Sequence, residues 1–151
     1  MLITFSSAPF YLTYVLSPSG DVISPKIRDN PKCWPYFKDA IGAIDGSHIV
    51  VAPPTAAHFR YRNRKGFLSQ NCLFACDFNL RFTFALTGWE GCASDARVYD
   101  DALLQGFWVP PGKYLLGDLG FPARPTLLVP YRGVQYHLAE WGRAGLRYDS
   151  F

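Results

Sequence analysis

Hydrophobic and polar positions change rhythm several times along the chain, and each change marks an element. Ala40 to Asp45 is a short apolar run closed by Asp45-Gly46, and apolar character resumes at Ile49-Val50-Val51 before Pro53-Pro54. That pattern predicts a strand, a turn at Asp-Gly and a second strand segment. From Asn71 the alternation is strict. Leu73, Ala75 and Asp77 interleave with Cys72, Phe74 and Cys76; then Phe82, Phe84 and Leu86 interleave with Arg81, Thr83, Ala85 and Thr87. Two such runs around Phe78-Asn79 predict a hairpin with one heavier apolar face, its second strand broken by Gly88 and Gly91. Ser94 fits a helix N-cap, Asp95, Val98, Tyr99 and Ala102 share one face at helical spacing, and Gly106 ends the helix. Tyr114 to Asp118 reads as a buried strand that again ends in an acid beside Gly, and Leu127 to Val129 as a short strand. Residues 136–146 fit the start of another helix. Strands first, then strand and helix in alternation, give an α/β domain around a mixed sheet.

Composition narrows the class. Hydrophobic residues are 49% of the 151 positions and charged residues 18%, which excludes a disordered chain and a coiled coil and leaves room for one ordinary domain. Residues 1–36, punctuated by Pro9, Pro18, Pro25, Pro31 and Pro35, read as a lead-in, and 37–151 as the domain. The N-terminus lacks a basic region ahead of its apolar residues, and no stretch reaches the roughly 18 apolar residues of a membrane helix, so a soluble intracellular chain with no membrane partner is expected. Cys33, Cys72, Cys76 and Cys92 match no zinc or disulfide framework and suit reduced, partly buried thiols.

Charge adds one feature. The net charge is only +3, but Arg60, Arg62, Arg64 and Lys65 fall in the single stretch His58-Phe-Arg-Tyr-Arg-Asn-Arg-Lys65, and without them acids and bases nearly balance. The stretch reads as a loop closed by Gly66. Arginines interleaved with Phe59 and Tyr61 suit phosphate contact and base stacking, although a solvated basic loop has the same composition. Asp45 and Asp118 each end an apolar strand beside Gly, where ligand sites gather in open α/β sheets, and Asp95 at a helix start could reach the same edge. Three such carboxylates would suit a hard cation such as Mg²⁺. Each also has an ordinary explanation: Asp-Gly marks turns, and an acid in a first helical turn complements the helix dipole. His48 and His137 read as structural, since neither has a Cys, Ser or ligand partner at useful spacing. No Gly-rich phosphate loop or nucleophile elbow is present.

Five blocks in order carry a resemblance: Phe37 to His48; Arg62-Asn-Arg-Lys-Gly66 with Asn71 to Phe84; Gly88 to Val98; Lys113 to Pro122; and Pro130 to Leu138. Together they resemble the catalytic domain of Harbinger-type (PIF/Harbinger) transposases and their domesticated relatives, within the DDE superfamily of nucleases. The resemblance implies an RNase H-like mixed sheet flanked by helices, and divalent-metal-dependent cleavage and strand transfer on DNA. It implies that Asp45 and Asp118 are metal-binding catalytic acids and that Asp95 is a further one, with Mg²⁺ or Mn²⁺ as cofactor. Two ions roughly 3.5–4 Å apart would then serve an in-line displacement. It also implies a nuclear setting and a separate DNA-binding partner protein. Cys92 and Ser94 depart from the Ser and His of the family's block around Asp95. The family's last carboxylate, in an Arg-x-x-(Ile/Val)-Glu-Arg block, has no counterpart before Phe151, and Glu140 is only a weak substitute. The expectation is a truncated nuclease domain. A domesticated module that binds DNA or a partner without cutting is the rival, and a metal-dependent phosphatase using the same acids has only generic support.

Overall fold

The structure, a computed structural model, describes residues 18–131 and residue 133. The 136–146 segment, His137 and Glu140 lie outside the described residues. A one-turn helix α1 (Pro25–Arg28) precedes β1 (Ala40–Val50); a 3₁₀ turn (Thr55–Ala57) leads into α2 (His58–Tyr61); β2 (Ser69–Cys76) and β3 (Phe82–Glu90) follow, then α3 (Asp95–Leu104), β4 (Tyr114–Leu116) and β5 (Leu127–Leu128). The five strands form one mixed sheet in the order β3-β2-β1-β4-β5. β1, β2 and β3 pair antiparallel in succession, whereas β4 runs parallel to β1 and β5 parallel to β4.

The hairpin forms as the alternation predicts. Its turn is built by the Asp77 carboxylate, which accepts hydrogen bonds from the amides of Asn79 (2.8 Å) and Arg81 (3.0 Å) and pairs with the Arg81 guanidinium. Two expectations need correction. Gly88 does not break β3: with φ +98° it sits inside the strand, where the register between Asn71 and Leu73 shifts by a bulge, and pairing continues to Glu90. Asp45-Gly46 is no turn either. β1 runs unbroken through it, Asp45 opposite Phe74 and Gly46 opposite Leu73 on β2. Gly is required there for close approach, since a Cβ on Gly46 would overlap the Asp95 carboxylate. The sequence signal marks a change of environment instead: residues before Asp45 are largely buried, and those from Ser47 to Val50 are exposed.

α3 forms where predicted. Ser94 caps it by accepting the Arg97 amide, and Gly106 (φ +92°) follows its end. Its buried face, Val98, Tyr99 and Ala102, meets one sheet face through Ile44, Leu73, Ala75, Leu115 and Leu127, with Phe107 and Phe121 completing the core. Tyr99 is fully buried, edge-on to Phe107 and Phe121, with its hydroxyl 3.3 Å from Thr126 Oγ1. Burying a side chain of this size contributes about 1.5–3 kcal/mol. The resemblance implies a sheet flanked by helices. Among the described residues α3 covers the face of Ile44 and Leu73. The opposite face shows Leu128 and Phe82 largely exposed, beside an apolar groove of about 570 Å³ lined by Phe37, Leu116 and Val129.

Candidate metal and nucleic-acid site

Sheet register brings the acids together. Ala43 on β1 is level with Leu116 on β4, so Asp45 and Asp118, each two residues further on, emerge level with one another. Phe121 anchors the stretch after β4 in the core, and the Gly120 amide donates to Asp118 Oδ1 at 2.8 Å. Asp95 arrives from the other side, as the first residue of α3. Its Oδ1 lies over Gly46, and its Oδ2 stands 2.9 Å from the point a Cβ on Gly120 would occupy, as does Asp118 Oδ1. Both glycines therefore leave space that carboxylate oxygens fill, which gives the Asp45-Gly and Asp118-Leu-Gly-Phe blocks a physical meaning beyond turn formation.

Electrostatics point the same way. Asp45 is exposed at its tip, yet partial desolvation raises its pKa above the ordinary carboxylate value. The Gly46 amide, 2.8 Å from Oδ1, opposes that rise, and the charges of Asp118 and Asp95 add to it. Among the described residues no Lys or Arg forms an ion pair with any of the three acids. The three side chains are of one charge and offer only oxygen donors, the ligand chemistry that suits Mg²⁺ or Mn²⁺. As placed, the side chains are not gathered tightly: among the described residues no three His, Cys, Asp or Glu side chains stand together as a ready coordination group. The sheet explains the gap. Asp45 follows the face of Ala43 and Phe74, while Asp95 approaches over Gly46 from the face of Ile44 and Leu73.

One residue here was legible only as part of a strand. Asn71 is buried at an inward position of β2, and its amide donates to Asp95 Oδ1 (2.9 Å) and to the Ala93 carbonyl (3.1 Å). It fixes the carboxylate that no cation balances. The available signal was an amide in line with Leu73 and Ala75, at a position otherwise reserved for apolar side chains.

The basic stretch lies at the far end of β1, with Val51 bonded to the Leu68 carbonyl. It is not wholly a loop: His58–Tyr61 forms a helical turn, and Arg62 bridges to Leu68. All four cations are exposed, but two have structural employment. Arg60 pairs with Glu90 at 3.3 Å and lies over the Phe59 ring, and Arg62 donates to the Gly66 carbonyl at 2.7 Å. Arg64 and Lys65 have no such partner among the described residues. Asn63 builds the turn: its Oδ1 accepts the amides of Lys65 (3.0 Å) and Phe67 (3.3 Å). Gly91 lets this segment pack closely, since a Cβ there would strike the Tyr61 and Ser69 carbonyls. The four cysteines are free thiols, Cys72 buried and Cys92 exposed. No helix among the described residues is long and apolar enough to cross a membrane.

Comparison with known proteins identifies the family. The sequence profile described as "DDE superfamily endonuclease" matches residues 44–146, a span that contains all three acids and the basic stretch. A rat protein named "Putative nuclease HARBI1" is 36% identical over 120 residues, covering 78% of this chain and 34% of its own. The human protein of the same name is 32% identical over 120 residues, with the same coverage of each chain. An Arabidopsis thaliana protein named "Protein ALP1-like" is 30% identical over 129 residues, 72% of this chain and 29% of that one. The chain thus spans about a third of the length of the curated relatives it matches. No solved structure matches it. With a profile match over most of its length, the chain belongs to the DDE superfamily endonucleases.

Proposed function

We propose that this domain is an RNase H-like, Harbinger-type nuclease domain that acts on DNA phosphodiester bonds, with Asp45, Asp95 and Asp118 holding Mg²⁺ or Mn²⁺. The observation that supports this reading is that sheet register delivers Asp45 and Asp118 level at one edge, where Asp95 reaches over Gly46 and toward Gly120. The sheet order, with two antiparallel strands on one side of β1 and two parallel strands on the other, suits that fold. A divalent ion bound there supplies positive charge to the scissile phosphate and to the attacking water or 3′-hydroxyl. The chain's own residues do the rest. Asp45 and Asp118 offer oxygen ligands from adjacent strands, Asn71 keeps Asp95 facing them, and Arg64 and Lys65 hold the DNA backbone at the other end of β1. A separate DNA-binding protein choosing the target, and action in the nucleus, complete the proposal.

A nicking assay on supercoiled DNA with Mn²⁺, Mg²⁺ or EDTA tests it. The reading predicts metal-dependent nicking that disappears in Asp45→Asn and Asp118→Asn. Nicking that survives both substitutions would exclude these acids as the catalytic centre. The second reading, a module that binds DNA without cutting, is favoured by the loose grouping of the acids. It predicts metal-independent binding and no nicking.

A further inference from the structure

His48 lies on β1 between the acid cluster and the basic turn, and a chain of hydrogen bonds determines which of its ring nitrogens faces outward. The chain begins at Asn63, which is 6% exposed. Two backbone amides, those of Lys65 and Phe67, point at one end of its side chain, so that end is the carbonyl and the other is the NH₂. The NH₂ donates to Ser69 Oγ at 3.0 Å. Ser69 is completely buried, so its one hydroxyl proton needs a partner inside the protein, and the remaining neighbour is His48 Nδ1 at 3.0 Å. Ser69 therefore donates and Nδ1 accepts. Neutral His48 then carries its proton on Nε2, which has no partner among the described residues, on an exposed side chain.

We propose that His48 is a phosphate-contacting residue, its Nε2–H held ready by the Asn63–Ser69 relay to donate to a non-bridging oxygen of the DNA backbone. The proposal rests on the nuclease reading above and adds to it a contact between the two charged regions. His48 shares the sheet face of Gly46, over which Asp95 lies, and follows Asp45 by three residues, about 10 Å along an extended strand. A DNA strand laid along this face of β1 would meet Asp95 over Gly46, then His48, then the turn of Arg64 and Lys65 beyond the strand's end. The relay has a second consequence. Asn63 shapes the basic turn and orients His48 with the same side chain, so an altered turn also releases the imidazole.

Two measurements test this, neither of which requires catalysis. The first is the tautomer, read from the ¹⁵N shifts of the His48 ring in the full chain at a pH where it is neutral. The Nε2–H form is expected to dominate in the wild type and to lose its dominance in Ser69→Ala; dominance of the Nδ1–H form overturns the proposal. The second is anisotropy of a labelled mixed-sequence DNA duplex in EDTA. His48→Ala is expected to weaken binding about tenfold, and His48→Gln, which keeps a donor, to recover part of that loss. Melting curves check that both variants stay folded. If the wild type binds and Arg64→Ala weakens it while His48→Ala has no effect, the proposal fails and the nuclease reading stands. If the wild type does not bind DNA at all, the underlying reading fails with it.

Discussion

The three acids and the basic turn lie toward opposite ends of β1 and are built in opposite ways. In the turn, two of the four cations are satisfied, Arg60 by Glu90 and Arg62 by the Gly66 carbonyl, and Asn63 bonds two amides of its own turn. All but Glu90 come from a span of a few residues. The acids come from β1, from the end of β4 and from the start of α3, and only the sheet register brings their chain positions to one edge. There, partial burial raises the pKa of Asp45, and the charges of Asp118 and Asp95 add to that rise. Local charge that finds a local partner supports structure. Like charge brought to one edge by long-range topology is what the proposed cation site rests on.

The largest way to break this comparison is to remove what assembles the acids. Asn71→Ala deletes two buried hydrogen bonds and should cost about 2–3 kcal/mol of stability, seen as a lower midpoint in urea unfolding. If the midpoint stays within error, Asn71 does not hold Asp95. A change of opposite sign sharpens the contrast. In metal-free buffer at neutral pH, Asp45→Asn should raise the melting temperature by removing a carboxylate that burial and its like-charged neighbours disfavour. The pH dependence has a defined direction. Because the folded pKa of Asp45 lies above its unfolded value, the native state binds the extra proton. Metal-free wild type should therefore gain stability as pH falls through the raised pKa toward the ordinary carboxylate value, and Asp45→Asn should lack that gain.

The smaller tests concern the turn. Arg64→Ala and Lys65→Ala should each reduce the salt dependence of DNA binding by about one unit of slope. Arg60→Ala and Arg62→Ala should change it less and lower the melting temperature more, since those two have structural partners. Equal effects at all four positions would erase the distinction between the two pairs.

Much of the fold was legible because its signals are local. The β2–β3 alternation, the Ser94 cap and the Val98-Tyr99-Ala102 stripe each belong to one element, and each formed as read. The misreadings share a cause. Asp45-Gly46 and Gly88 carry the composition of turns, but the first is held in β1 by pairing with β2 and the second is absorbed as a bulge. Glycine was read as punctuation, whereas at position 46 its function is to admit a carboxylate from α3, some fifty residues further along the chain. For the proposed site, Asp45, Asp95 and Asp118 are legible as candidates from strand ends, a helix start and the family resemblance. What holds them, Asn71 beneath Asp95 and Gly120 beside Asp118, depends on contacts that no spacing rule encodes.

The central claim is that the three carboxylates form one cation site, and paramagnetic broadening by Mn²⁺ tests it most directly. In a ¹H–¹⁵N spectrum of the full chain titrated with Mn²⁺, the amides of Gly46, Asp95 and Gly120 should broaden together at the lowest additions, while those of Lys65 and Phe67 in the basic turn stay sharp. Asp118→Asn should abolish the effect. Broadening centred elsewhere, or none at Gly46 and Gly120 while other signals respond, would contradict the account.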